Sequence, residues 1–127
     1  MYHYYDSYMK TKIKKIGQEI ATIKKEMFGI GDMRPGSLTR QMRKAKEKYG
    51  SYWQLSYTQQ GKGRTAYVRE ENVGQVKEET TNYKRYKKLA GRLIKLSIEK
   101  SRLKMELAKK DLVSLSSREL GTLKLTT

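Results

Sequence analysis

The chain contains no cysteine. That excludes a disulfide framework, a thiolate nucleophile and a cysteine-based zinc site. It contains one histidine, His3, which stands near the N-terminal end and reads as a solvent residue rather than a base or a ligand. No apolar run approaches the roughly 18 residues of a membrane span. The opening segment, residues 1–10, lacks the apolar centre of a secretory leader. These absences point to a cytoplasmic protein with no metal, no cofactor and no membrane partner. Proline occurs once and tryptophan once, so each marks a definite place in the fold.

Acidic residues are also scarce. The 127 residues hold 29 Lys+Arg against 13 Asp+Glu, a formal net charge of +16. The excess is spread along the chain. Residues 1–28 carry six lysines against three acids, and residues 71–127 carry fourteen basic residues against seven acids. No basic tail accounts for the total, so the positive field belongs to the folded body. Self-repulsion of this size is usually retained where the partner is a polyanion. The expected partner is nucleic acid, DNA before RNA. The alternative is a coiled-coil oligomerisation or assembly protein whose charge serves solubility.

The periodicity is clear at both ends. Met9, Ile13, Ile16, Ile20, Ile23 and Met27 recur at spacings of four and three, which predicts a helix over 10–28, about 28 Å long. Ser7 or Thr11 would cap it, and the glycines of Gly29-Ile30-Gly31 would end it in the left-handed conformation. The only proline lies in Met33-Arg34-Pro35-Gly36, a turn signal that pushes Arg34 toward an extended conformation. Residues 37–69 read as β. Trp53, Leu55 and Tyr57 alternate with Tyr52, Gln54 and Ser56. A polar loop, Gln59 to Gly63, leads to a strand over 64–68, and a strand over 37–43 would precede both, with Leu38 and Met42 inward. A lone hairpin is marginal in water, so three strands against a helix are expected.

A long helix is predicted over 71–110, about 60 Å. Leu89, Leu93, Leu96, Lys100, Leu103 and Leu107 form its stripe, with Lys100 the one polar member. Ile94, Ile98 and Met105 would widen that stripe. The tail 111–127 reads as a short second helix or a loose segment. The fold class is therefore α+β: two helices forming an antiparallel coiled-coil-like pair, flanking a small three-stranded antiparallel sheet within one domain. A 28 Å helix cannot cover one of 60 Å, so Leu96–Leu107 would be left exposed, to be covered by a second copy, the folded-back tail or another protein, with Leu89, Leu93, Leu96, Leu103 and Leu107 as the contact stripe. A homodimer is the expectation.

Met33 to Gln41 (MRPGSLTRQ), Tyr52 to Tyr57 (YWQLSY), Gly61-Lys62 and Arg64 to Val68 (RTAYV) together resemble a family of small uncharacterised prokaryotic proteins. Its members share an MRPGSL-type start, a YYxLSY-type strand, a GK-R-xYV strand and a long helix with a Tyr-x-x-Tyr/Phe element, here Tyr83 and Tyr86. They are often encoded near mobile elements, which implies an accessory or regulatory role on DNA. Many carry several cysteines between the first two strands. This chain has none in Lys44–Gly50, so a zinc-held loop is not implied here.

The candidate nucleic-acid residues fall in two groups. On and around the sheet stand Arg34, Arg40, Gln41, Arg43, Lys44, Tyr52, Gln54, Lys62 and Arg64. Arginine and glutamine can read guanine and adenine edges in the major groove, lysine can hold phosphates, and tyrosine can stack on unpaired bases. On the long helix stands the run Lys84, Arg85, Lys87, Lys88, Arg92 and Lys95, with Lys84, Arg85 and Lys88 the first candidates; its bland alternative is a solvated face. No enzyme is expected. Glu70-Glu71 and Glu78-Glu79 are adjacent pairs that do not converge on a helix, and Gly61-Lys62-Gly63 lacks the spacing of a phosphate-binding loop.

Overall fold

The computed structural model describes the backbone of residues 2–42 and 50–126 and the side chains of 4–42 and 50–110. The element order is α1 (Tyr2–Phe28), β1 (Ser37–Met42), β2 (Ser51–Gln59), β3 (Lys62–Val68), a 3₁₀ turn (Glu70–Asn72) and α2 (Val73–Thr126). The fold is α+β, with two paired helices flanking a three-stranded antiparallel sheet in sequence. The chain forms two compact units. One joins Met1–Lys25 to Gly91–Thr127, and the other is Glu26–Ala90.

In the first unit, α1 and α2 run antiparallel. Met9, Ile16, Ile20 and Leu103 are buried together, with Ile13, Leu93, Leu96 and Leu107 packed around them. Two ion pairs mark the antiparallel register: Lys12–Glu99 at 3.8 Å and Arg92–Glu19 at 3.9 Å. Both are solvent-exposed and long, so each stabilises by well under ~1 kcal/mol. The apolar seam holds the pair.

The helix α1 starts at Tyr2, eight residues before the expected start at Lys10. Tyr2 to Met9 add about 12 Å to the helix at 1.5 Å per residue. Thr11 does not cap; its hydroxyl donates to the Ser7 carbonyl one turn back, at 2.8 Å. Even so extended, α1 (27 residues, about 40 Å) remains shorter than α2 (54 residues, about 81 Å). In the first unit Leu93, Leu96, Leu103 and Leu107 pack with Met9, Ile13, Ile16 and Ile20 of α1, so the stripe is covered within the chain from Leu93 to Leu107. The tail also differs from expectation, because α2 continues without a break to Thr126.

The end of α1 uses a different device from the one expected. Gly29 and Ile30 donate to the carbonyls of Glu26 and Met27, each at 3.2 Å and each three residues back. These tight bonds satisfy terminal carbonyls without a left-handed residue. Positive φ occurs instead at Gly36, Gly50, Gln60 and Gly61. Gln60 and Gly61 form the two-residue turn between β2 and β3, the form whose twist matches a hairpin. The expected five-residue loop is thus shorter, and β3 begins at Lys62.

The second unit is built on Leu55, which is fully buried at the centre of β2. Val68 and Val76 are buried with it, and Leu38, Trp53, Tyr57, Ala66 and Val73 surround them. The sheet order is β1-β2-β3, with Leu38 opposite Leu55 and Leu55 opposite Ala66. Trp53 packs against this cluster, and its indole N–H donates to Glu70 Oε2 at 3.0 Å. Gly36 is required by the core. Its φ is +141°, and a Cβ there would stand 2.7 Å from Leu55 Cδ1 and 3.1 Å from the Ser56 carbonyl oxygen.

Two substitutions test this packing by urea denaturation. Gly36→Ala adds both backbone strain and a clash, and should cost about 2–4 kcal/mol. Leu55→Ala leaves a cavity in a fully buried position and should cost about 2–5 kcal/mol. A loss below ~0.5 kcal/mol at Gly36 would show that the PG turn does not depend on close approach to Leu55.

Candidate interaction surfaces

Strand register sorts the sheet residues onto two faces, since partners across a ladder share a side. Arg40 lies opposite Trp53, and Arg64 opposite Tyr57. Both therefore belong to the core-facing side, at its rim. Arg40 lies over the Trp53 ring at 5.9 Å and its Nε donates to the Ser51 hydroxyl. Arg34 lies over the Tyr57 ring at 5.1 Å. Gln41, Tyr52 and Gln54 occupy the other side, with Thr39, Thr65 and Tyr67. There Tyr52 and Tyr67 approach at 6.3 Å between ring centres, and Gln41 Nε2 donates to the Thr39 hydroxyl at 3.1 Å.

The structure therefore does not bring the expected sheet residues onto one binding face. Among the described residues the outer face is uncharged up to Arg69, and Arg34, Arg40 and Arg64 ring the other. Lys62 starts β3 beside the turn. Arg43 and Lys44 lie outside the described residues.

In the same unit, the start of α2 holds the turn after α1. Arg34 N–H donates to the Glu79 carbonyl at 3.0 Å, and Asn82 Nδ2 to the Asp32 carbonyl at 2.9 Å. A cleft of about 340 Å³ lies between this turn and α2, with Asp32, Glu78, Glu79 and Arg85 on its walls. Among the described residues no cluster of three His, Cys, Asp or Glu is arranged to hold a metal ion. Lys84 and Lys88 lie one turn apart and exposed. Neither makes an ion pair with a described acid. Tyr83 and Tyr86 stack at 6.5 Å, and Lys87 lies over Tyr83 at 5.9 Å.

The first unit carries a second apolar surface on α2. Ile94, Ile98 and Met105 do not widen the buried stripe. They are 59 %, 64 % and 65 % exposed. With Gly91, Ser101 and Ala108 they recur at spacings of three and four. At 100° per residue this second seam lies roughly 160° around α2 from the Leu93–Leu107 seam. Counting the two sets separately would have revealed it; both obey the heptad rule, in different registers. Lys95, Arg102 and Lys109 follow one border of the open seam, and Lys104 stands on the other. Glu99 and Glu106 stand one turn from Lys95, Arg102 and Lys109 on the outer side of that border but form no ion pair with them, and Glu99 pairs with Lys12 of α1.

A match over residues 6–78 decides the family. The chain belongs to the DUF6788 family, described as a domain of unknown function. The DUF6788 match takes in α1 from Asp6 onward, the whole sheet and the first turns of α2, and ends before the open seam begins. No curated protein and no solved structure matches the chain.

The N-terminal tyrosines lie on α1. Tyr4 and Tyr8 are exposed, while the Tyr5 ring receives the Lys110 ammonium at 3.0 Å. Inside the seam, Lys100 lies over Gly17, where a Cβ would stand 3.2 Å from Nζ. That contact is with the free end of a flexible chain. Gly17→Ala should therefore raise stability by roughly 0.5–1 kcal/mol through helix propensity, and Gly17→Leu should lower it by displacing the Lys100 stem. Thermal melts of the two variants check this; equal shifts would mean that Lys100 does not occupy the space over Gly17.

Proposed function

We propose that the protein is a non-enzymatic assembly module that presents α2 to another helix. One observation carries the reading: α2 is apolar on two opposite faces over Gly91–Ala108, and only one of them is covered by α1. A helix apolar on both sides is the pattern of an inner helix in a bundle. The small residues Gly91, Ser101 and Ala108, which share this seam with Ile94, Ile98 and Met105, offer holes for the knobs of an incoming helix. The paired helices supply a rigid support for that face.

A second reading is nucleic-acid binding, including an accessory role on DNA for a mobile element. The free cations of α2, Lys84 and Lys88, together with the net charge of +16, favour it. The separation of Arg40 and Arg64 from Gln41 and Gln54 weighs against direct reading of base edges by the sheet.

Two measurements separate the readings. A photo-crosslinking residue in place of Ile98 should give a discrete adduct in the native host, and one in place of Tyr67 should not; equal labelling from both positions would count against a docking face on α2. In a gel-shift assay, the assembly reading expects only weak, sequence-indifferent retention that vanishes between low and physiological salt. Retention that survives physiological salt and is lost in the Lys84→Glu, Arg85→Glu, Lys88→Glu triple variant would favour the nucleic-acid reading.

A further inference from the structure

We infer that the occupant of the open α2 seam is an amphipathic helix with acidic flanks, belonging to a different protein. The inference rests on the assembly reading and goes beyond it by naming the partner's chemistry. The apolar content of the seam is narrow: three bulky side chains, Ile94, Ile98 and Met105, in one row with the small residues Gly91, Ser101 and Ala108. That relief suits knobs-into-holes packing with one helix. A lipid surface would be met by a broader apolar face with Trp or Phe, and none stands here.

The borders choose between partners. Positions beside a helix–helix seam face their counterparts on the other chain and set pairing through charge. Here those positions are Lys95, Arg102 and Lys109 on one side and Lys104 on the other. All four are exposed, and none forms an ion pair with a described acid. In a second copy packed antiparallel on the same face, Lys95, Arg102 and Lys109 would face their own kind. A parallel copy would set Lys104 against the same cations. Either arrangement places like charges in register, which is destabilising. A helix with glutamates or aspartates at the bordering positions meets every one of these cations.

The test uses the full chain and synthetic three-heptad helices with Leu and Ile in the seam and Glu, Gln or Lys at the bordering positions. A fourth peptide has the charge of the Glu helix but Ser and Ala in the seam. Binding is read by fluorescence anisotropy at physiological salt. The Glu-bordered helix should bind at least about tenfold more tightly than the Gln-bordered one, and the Lys-bordered and seamless peptides should not bind measurably. Ile94→Glu with Ile98→Glu should abolish binding, and Lys95→Glu with Arg102→Glu should transfer the preference to the Lys-bordered helix. Both pairs are exposed, and circular dichroism checks that the variants remain folded.

Equal binding of the Glu- and Gln-bordered helices would overturn the acidic-partner inference while leaving the assembly reading in place. So would self-association by light scattering that Ile98→Glu removes. Equal binding of the seamless peptide would reduce the effect to bulk charge, and binding of none would refute both the inference and the reading beneath it. Binding to vesicles containing phosphatidylserine that depends on Ile98, without binding to the Glu-bordered helix, would assign the face to a membrane.

Discussion

The contact between Met9, Ile16 and Ile20 of α1 and Leu103 of α2 is the interaction on which the first unit depends. The ion pairs around it are exposed and close to 4 Å, so electrostatics fixes little there. Burying one apolar side chain of this size stabilises by about 1.5–3 kcal/mol, and the seam repeats the event along the pair. It also orients α2 about its own axis. Once Leu93, Leu96, Leu103 and Leu107 turn toward α1, Ile94, Ile98 and Met105 must turn away, because both sets share one rigid helix. The open face is a geometric consequence of the closed one.

The second unit depends on a different constraint, the full burial of Leu55. Its neighbours are set by register: Leu38 on one side, Ala66 on the other, with Val68 and Val76 completing the core. The approach of Gly36 to Leu55 gives the Pro35-Gly36 pair its physical role. The proline directs the chain and the glycine lets it pass where no side chain fits. These features lie inside the stretch shared with the DUF6788 family, whereas the open α2 seam lies beyond it.

Charge has a definite place in this arrangement. The cations are distributed over a surface in which acids are too few to match them, and the structure does not gather them on the sheet. Arg34 and Arg40 lie over aromatic rings, contacts worth about 0.5–1 kcal/mol at exposed sites, and so serve the rim of the core. Lys95, Arg102, Lys104 and Lys109 instead border an apolar strip, where charge selects a partner more than it tightens binding.

Composition and period determined much by themselves. The two helices, the three strands, the inward set Trp53, Leu55 and Tyr57, and the lack of cysteine chemistry all follow from local residue patterns, because side-chain alternation and heptad spacing are properties of the chain alone. Helix ends were less legible. Nothing local distinguishes Tyr2–Met9 from a loose terminus; those residues are helical because Met9 and Ile13 have Leu103 and Leu107 to pack against. Which of the two interleaved seams on α2 is covered and which is open was decided only by tertiary structure. A sequence records that apolar and basic residues recur, but which of two interleaved faces is buried depends on where the other helix lies.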